Sequence, residues 1–156
     1  MASLNLVAEP GMHSIVMSRT FDAPRALVFK AFTDPALLPK WWGPRYLTTA
    51  VDAMDVRFGG VWRYIQRDAD GNEYRFRGVF HDIVAPERLA FTFEFEGMPG
   101  HVLLETVTFE ERDGKTLVTD TSVFQSVDDR DGMLQAGMEG GASDSWDRMA
   151  ELLVTL

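Results

Sequence analysis

No cysteine occurs among the 156 residues, which excludes disulfides, thiolate catalysis and Cys-ligated zinc. The same lack permits a reducing compartment, and a cytoplasmic location is the expectation. No apolar run approaches the roughly 20 residues that a membrane span needs, so no membrane is expected. Positive charge is scarce: 15 Lys and Arg stand against 24 Asp and Glu, for a net charge of −9. Phosphate neutralisation needs clustered Lys and Arg, so no nucleic-acid partner is expected, and anionic lipid surfaces are disfavoured for the same reason. Histidine is thin as well. His13, His81 and His101 lie far apart without metal-type spacing, so no metal site is expected. There is no Gly-x-Ser-x-Gly and no Ser/His/Asp set. Gly59-Gly60 has neither the spacing nor the lysine of a phosphate loop. Residues 1–12 carry neither a basic nor an apolar signal-peptide region and read as a flexible lead-in around Glu9-Pro10-Gly11. With no repeat, linker or low-complexity stretch, residues 13–156 read as one domain, long enough to bury a core.

What is there is organised around the last stretch. From Ser126 to Leu153 the chain reads as one long helix, with Leu134, Met138, Ala142, Trp146, Met149 and Leu153 recurring at steps of three and four. Ser126 followed by Asp129 is a start signal, and Asp144 with Arg148 is an i,i+4 pair. The front half is glycine-rich: Gly132, Gly137, Gly140 and Gly141 each cost roughly 1 kcal/mol against Ala in a helix interior. They serve either close contact between helix and sheet, or room for a ligand and movement.

Ahead of this helix the period is two. His13–Phe21 reads as a strand. Asp22 reads as the cap of a helix with Pro24 in its first turn, and residues 35–40 as a second short helix leading into Trp41-Trp42-Gly43-Pro44. Strands are expected at 47–56, 61–67, 73–83, 88–95, 101–110 and 115–124, punctuated by Gly59-Gly60, Asp70-Gly71-Asn72, Gly97-Met98-Pro99-Gly100 and Asp113-Gly114.

The two-residue turn Asp113-Gly114 sets a register. Phe109 then faces Val118, Val107 faces Asp120, and Glu105 faces Ser122, on the side that carries Leu103, Val107 and Phe109. Glu105 and Asp120 are therefore diagonal neighbours on an inward face, where two carboxylates are costly unless paired or protonated. They are candidate acid and base residues, or they are satisfied by an arginine. Aromatics crowd the same side. Trp62 and Tyr64 oppose Arg63 and Ile65; Tyr74, Phe76 and Phe80 oppose Arg75, Arg77 and His81; and Leu89, Phe91, Phe93 and Phe95 share a face. They make either a filled core or the wall of a concave, mostly apolar pocket.

Three stretches carry a resemblance: Arg19-Thr20-Phe21-Asp22-Ala23-Pro24, Val28-Phe29-Lys30-Ala31-Phe32-Thr33-Asp34-Pro35, and Trp41-Trp42-Gly43-Pro44. With Asp55–Arg63, Pro86–Leu89 and the Gly- and Met-rich stretch 130–140, the chain from Ile15 to Leu153 resembles the activator-of-Hsp90-ATPase homologue family. That family sits in the START-like superfamily (SRPBCC, with polyketide cyclases and Bet v 1-like proteins). The resemblance implies an α+β helix-grip fold: a curved antiparallel sheet wrapped around a long C-terminal helix, with two short helices after the first strand. It implies a cavity that binds a hydrophobic small molecule without an obligatory cofactor. The ligand-binding residues expected on that basis are Trp41, Trp42, Trp62, Tyr64, Phe76 and Phe80, with Phe93, Leu103, Met133, Met138 and Trp146. A carrier, sensor or stress-response protein is the leading expectation. A cyclase or dehydratase using Glu105 and Asp120 is the alternative, and an Hsp90-type co-chaperone with a chaperone partner is the third. Uncovered edge strands leave a homodimer open.

Overall fold

Alternation of apolar and polar side chains, broken by Gly- and Asp-bearing turns, writes most of this chain as strand. The computed structural model describes residues 2–156. Its elements are β1 (Asn5–Val7), β2 (Ser14–Phe21), α1 (Arg25–Thr33), β3 (Thr48–Met54), β4 (Val61–Arg67), β5 (Glu73–Val84), β6 (Arg88–Phe95), β7 (Val102–Arg112), β8 (Lys115–Val123), α2 (Val127–Gln135) and α3 (Met138–Val154). A 3₁₀ turn spans Leu38–Lys40. The strands form one sheet in the order β1-β2-β8-β7-β6-β5-β4-β3, every neighbouring pair antiparallel. From β3 to β8 each strand pairs with the next; the crossover sets β2 beside β8. This is the α+β helix-grip arrangement, a curved sheet closed by the C-terminal helix.

The register set by the Asp113-Gly114 turn holds along the whole β7–β8 ladder: Arg112 pairs with Lys115, Phe109 with Val118, Val107 with Asp120 and Glu105 with Ser122. Inward residues of β2, β7 and β8 meet α1 and α3. Phe21 stands edge-on to Trp146 at 5.8 Å between ring centroids. Phe29 and Phe32 of α1 both stand edge-on to Phe109 at 5.2 Å. Met149 and Leu153 complete this side of the core. Burying side chains of this size contributes about 1.5–3 kcal/mol each.

Several expectations need correction. The terminal helix is two helices, because Gly137 has φ +85°, a left-handed conformation that costs glycine little and ends α2. Ser126 does cap α2, its hydroxyl accepting from the Asp129 N–H at 3.0 Å. The glycines do not serve close packing, since a Cβ added at Gly132, Gly137, Gly140 or Gly141 would meet nothing within 4 Å. Asp144 and Arg148 do not pair with each other. Arg148 donates to the Lys40 and Gly43 carbonyls at 3.1 and 2.8 Å, while Asp144 accepts from Arg45 at 3.1 Å. Pro24, not Asp22, holds the cap position of α1, and it caps without a side-chain hydrogen bond. The second short helix shrinks to the 3₁₀ turn. The sheet also begins earlier than expected, because Asn5–Val7 pairs with β2 inside the stretch read as a lead-in. Arg130, 3% exposed, holds that stretch by donating to the Glu9 carbonyl at 2.6 Å.

Candidate functional site

The inward face of β4, β5 and β6 is built from aromatics at every second position. Trp62 lies tilted on Tyr64 at 4.5 Å between centroids, and Phe91 stands edge-on to Trp62 at 6.1 Å. Trp42 comes from the loop after the 3₁₀ turn and stands edge-on to Tyr64 at 5.1 Å and to Phe76 at 5.2 Å. That loop is pinned to α3. The Ser145 hydroxyl donates to the Trp41 carbonyl at 3.0 Å and accepts from the Gly43 N–H at 3.1 Å. The Arg45 guanidinium adds an ion pair with Glu151. The Trp41 indole donates to the Ala31 carbonyl at 2.8 Å, and the Trp62 indole to the Thr92 carbonyl at 3.1 Å, so neither buried N–H is orphaned.

Between this aromatic face and the first turns of α3 the side chains do not meet. A hollow of about 250 Å³ remains. All four tryptophans of the chain border it: Trp41, Trp42, Trp62 and Trp146. So do Tyr64, Phe80, Phe93, Leu103, Met133 and Met138. Of the expected ligand-binding residues only Phe76 lies elsewhere. It borders a second recess of about 630 Å³ between α2 and the ends of β5–β7. Gln66, Phe93, Leu103, Phe124 and Met133 border both spaces, so the hollow and the recess adjoin.

Glu105 and Asp120 both border the hollow. No arginine satisfies them. The inward-facing arginine of β2, Arg19, reaches Asp147 on α3 at 2.5 Å instead. Asp120 is 6% exposed and its Oδ1 has no hydrogen-bond partner. Ser122 offers a long hydroxyl contact to Glu105 Oε1 at 3.5 Å. The two carboxyl groups are diagonal neighbours on the β7–β8 ladder, and each bears on the other's protonation. Burial pushes the Asp120 carboxyl from its ordinary 3.8 up to about 7. Burial first, and the Asp120 charge second, hold Glu105 well above the usual range. Glu105 is half-buried and borders the hollow. Burial, with Glu105 beside it, raises the Tyr64 hydroxyl as well.

Sequence reasoning missed several lining residues. Met17 and Gln66 follow directly from the period of two, being two positions from Ile15 and Tyr64 on their own strands, and Phe91 lies on the face that reads as a filled core or pocket wall, though it is not among the expected ligand-binding residues. Gln66 is 4% exposed and turns its side chain into a mostly apolar wall, a choice that a polar residue late in a strand does not advertise. Ser145 has no sequence signal, since its role depends on a loop 102 residues earlier.

Comparison with known proteins agrees with this fold. Residues 22–154 match the family described as activator of Hsp90 ATPase homolog 1-like protein. A solution structure of a protein from Arthrobacter aurescens superposes with a TM-score of 0.90 at 26% identity, covering 97% of this chain and 92% of that one. A crystal structure of a protein from Rhodobacter sphaeroides gives 0.90 at 21% identity, covering 99% of each. The AHSA1 protein from Silicibacter pomeroyi gives 0.74 at 22% identity, covering 91% of this chain and 98% of that one. No curated protein matches the chain.

Proposed function

The chain belongs to the activator of Hsp90 ATPase homolog 1-like family, and from that premise we propose that it binds a hydrophobic or aromatic small molecule between sheet and C-terminal helix, as a carrier or sensor. One observation carries this reading: the aromatic face of β4–β6 and the glycine-rich start of α3 leave about 250 Å³ that the protein's own side chains do not fill. Gly141 borders that space, and a Cβ there would touch nothing. A mostly apolar concavity with a few convergent polar groups is the usual form of a small-molecule site. Native mass spectrometry of protein purified without organic additives tests the proposal. A retained small-molecule adduct that organic extraction removes supports it. A bare mass at every collision energy, together with no uptake from a hydrophobic library, counts against it.

The carboxyl pair favours a second reading, an enzyme of the cyclase or dehydratase type. Two adjacent acids held partly protonated near neutrality are suited to proton transfer onto a bound ligand. Turnover that is lost in both Glu105→Gln and Asp120→Asn, while ligand uptake survives, would establish it.

A further inference from the structure

The polar end of the hollow has an unusual balance of donors and acceptors. Glu105 and Asp120 bring four carboxyl oxygens, of which Asp120 Oδ1 has no partner among the described residues. The hydroxyl of Ser122, at 3.5 Å, is the donor supplied to them. Once Asp120 ionises, above about pH 7, the site holds buried negative charge and is short of donors. A cation rich in N–H would complement such a site. The rest of the wall suits one. Phe91 is the cross-strand partner of Glu105, and Trp62 packs against both Phe91 and Tyr64, so aromatic rings border the hollow together with the carboxyl groups. Aromatic faces attract ammonium groups, worth about 0.5–2 kcal/mol each according to how dry the site is. The adjoining recess between α2 and β5–β7 is mostly apolar, with Phe76, Phe95, Met98 and Ala136 on its wall, and Asp128, Asp129 and His101 border it as well. A net charge of −9 favours approach of a cation.

We propose that the hollow takes the ammonium head of an amphiphilic amine, held between the Glu105 and Asp120 carboxylates and the aromatic faces of Trp62, Tyr64 and Phe91, with its apolar chain running out through the recess under α2. This rests on the ligand-binding reading above and names the ligand's chemical class. It also fixes the sign of a pH dependence. Of the residues lining the hollow, Glu105, Asp120 and Tyr64 titrate. From β2 the facing residue is Met17, and Arg19 is committed to Asp147; from α3 the facing residues are Met138, Ala142, Ser145 and Trp146, none of them charged; β5 and β6 present Phe80, Phe91 and Phe93. An arriving ammonium therefore meets acids that still hold protons, and binding it expels them. Affinity rises with pH while the amine itself stays protonated. A neutral ligand whose carbonyl accepts from a protonated acid would show the opposite slope.

The test uses n-decylamine against n-decanol, chains of equal length differing in the head group, titrated by calorimetry and tryptophan fluorescence at pH 6 and pH 8.5. Decylamine is expected to bind at least tenfold more tightly at the higher pH, with proton release seen as a dependence of the heat on the buffer's ionisation enthalpy. In the isosteric double variant Glu105→Gln/Asp120→Asn its affinity falls at least tenfold while decanol binding is retained, which also shows that the variant is folded. Decanol binding as well as decylamine, or decylamine binding that ignores the double substitution, overturns the amine assignment and leaves the apolar-ligand reading intact. Binding of neither compound overturns both.

Discussion

At the scale of single residues, the buried acids tie the site to the stability of the fold. Asp120 binds its proton more tightly folded, at about 7, than at its ordinary 3.8, and Glu105 is shifted the same way. An acid whose folded pKa is raised contributes stability that is fully present below the unfolded value. That contribution is lost as pH climbs through the folded value. Chemical denaturation across pH 4 to 8 is therefore expected to show a fall attributable to this pair, on the order of 2–4 kcal/mol. Asp120→Asn flattens the slope; an unchanged slope would show that the pair is not desolvated. Arg19 makes a contrasting case. It is 6% exposed, its Nε lacks a partner, and its charge is met by Asp147, which is half open to water. Asp147→Ala strands a buried guanidinium and is expected to cost about 3 kcal/mol, whereas Arg19→Met, which leaves Asp147 to solvent, costs less than about 1. Equal costs from the two denaturation curves would contradict this. The carboxyl pair was legible in the sequence because a two-residue turn fixes a ladder by counting. The arginine was not: nothing near Arg19 says that a helix 128 residues later supplies its partner.

At the scale of elements, the glycines of the terminal segment decide what α3 can do. Gly137 needs its positive φ and separates α2 from α3. Gly140 and Gly141 do not; each sits in α3 with φ below zero and open space where a Cβ would go. Gly140→Ala is expected to stabilise the protein by about 1 kcal/mol, through backbone entropy alone, read as a raised denaturation midpoint. A loss of stability would contradict the open space beside Gly140. The weakness of this helix was visible in its composition. The position of the break was not, because four glycines are equally capable of it and only the docking of Trp146, Met149 and Leu153 selects which one bends. The Trp41–Pro44 loop shows the same limit. Two adjacent tryptophans mark it as special, yet its attachment through Ser145 and Arg148 follows from where α3 lies, not from any local signal.

At the scale of the whole molecule, turn residues and alternation give the order of strands, and an amphipathic helix after a run of antiparallel strands has the sheet face as its natural destination. That much was readable, from β2 to β8. What the pattern could not decide was whether the aromatic side is filled or hollow, since the same Trp, Tyr and Phe positions serve both. The difference lies in volumes: Gly141 and Ala142 border the hollow together with the large rings of β4–β6. The most direct measurement follows from all four tryptophans bordering that gap. Intrinsic fluorescence is to be titrated with n-decanol in the wild type and in Gly141→Leu, which adds an apolar side chain at the border of the hollow, where a Cβ meets no neighbour within 4 Å. A saturable change in the wild type, reduced at least tenfold in affinity in a Gly141→Leu variant that melts no lower, is the predicted result. No saturable change in the wild type, or equal binding by both proteins, would contradict the account.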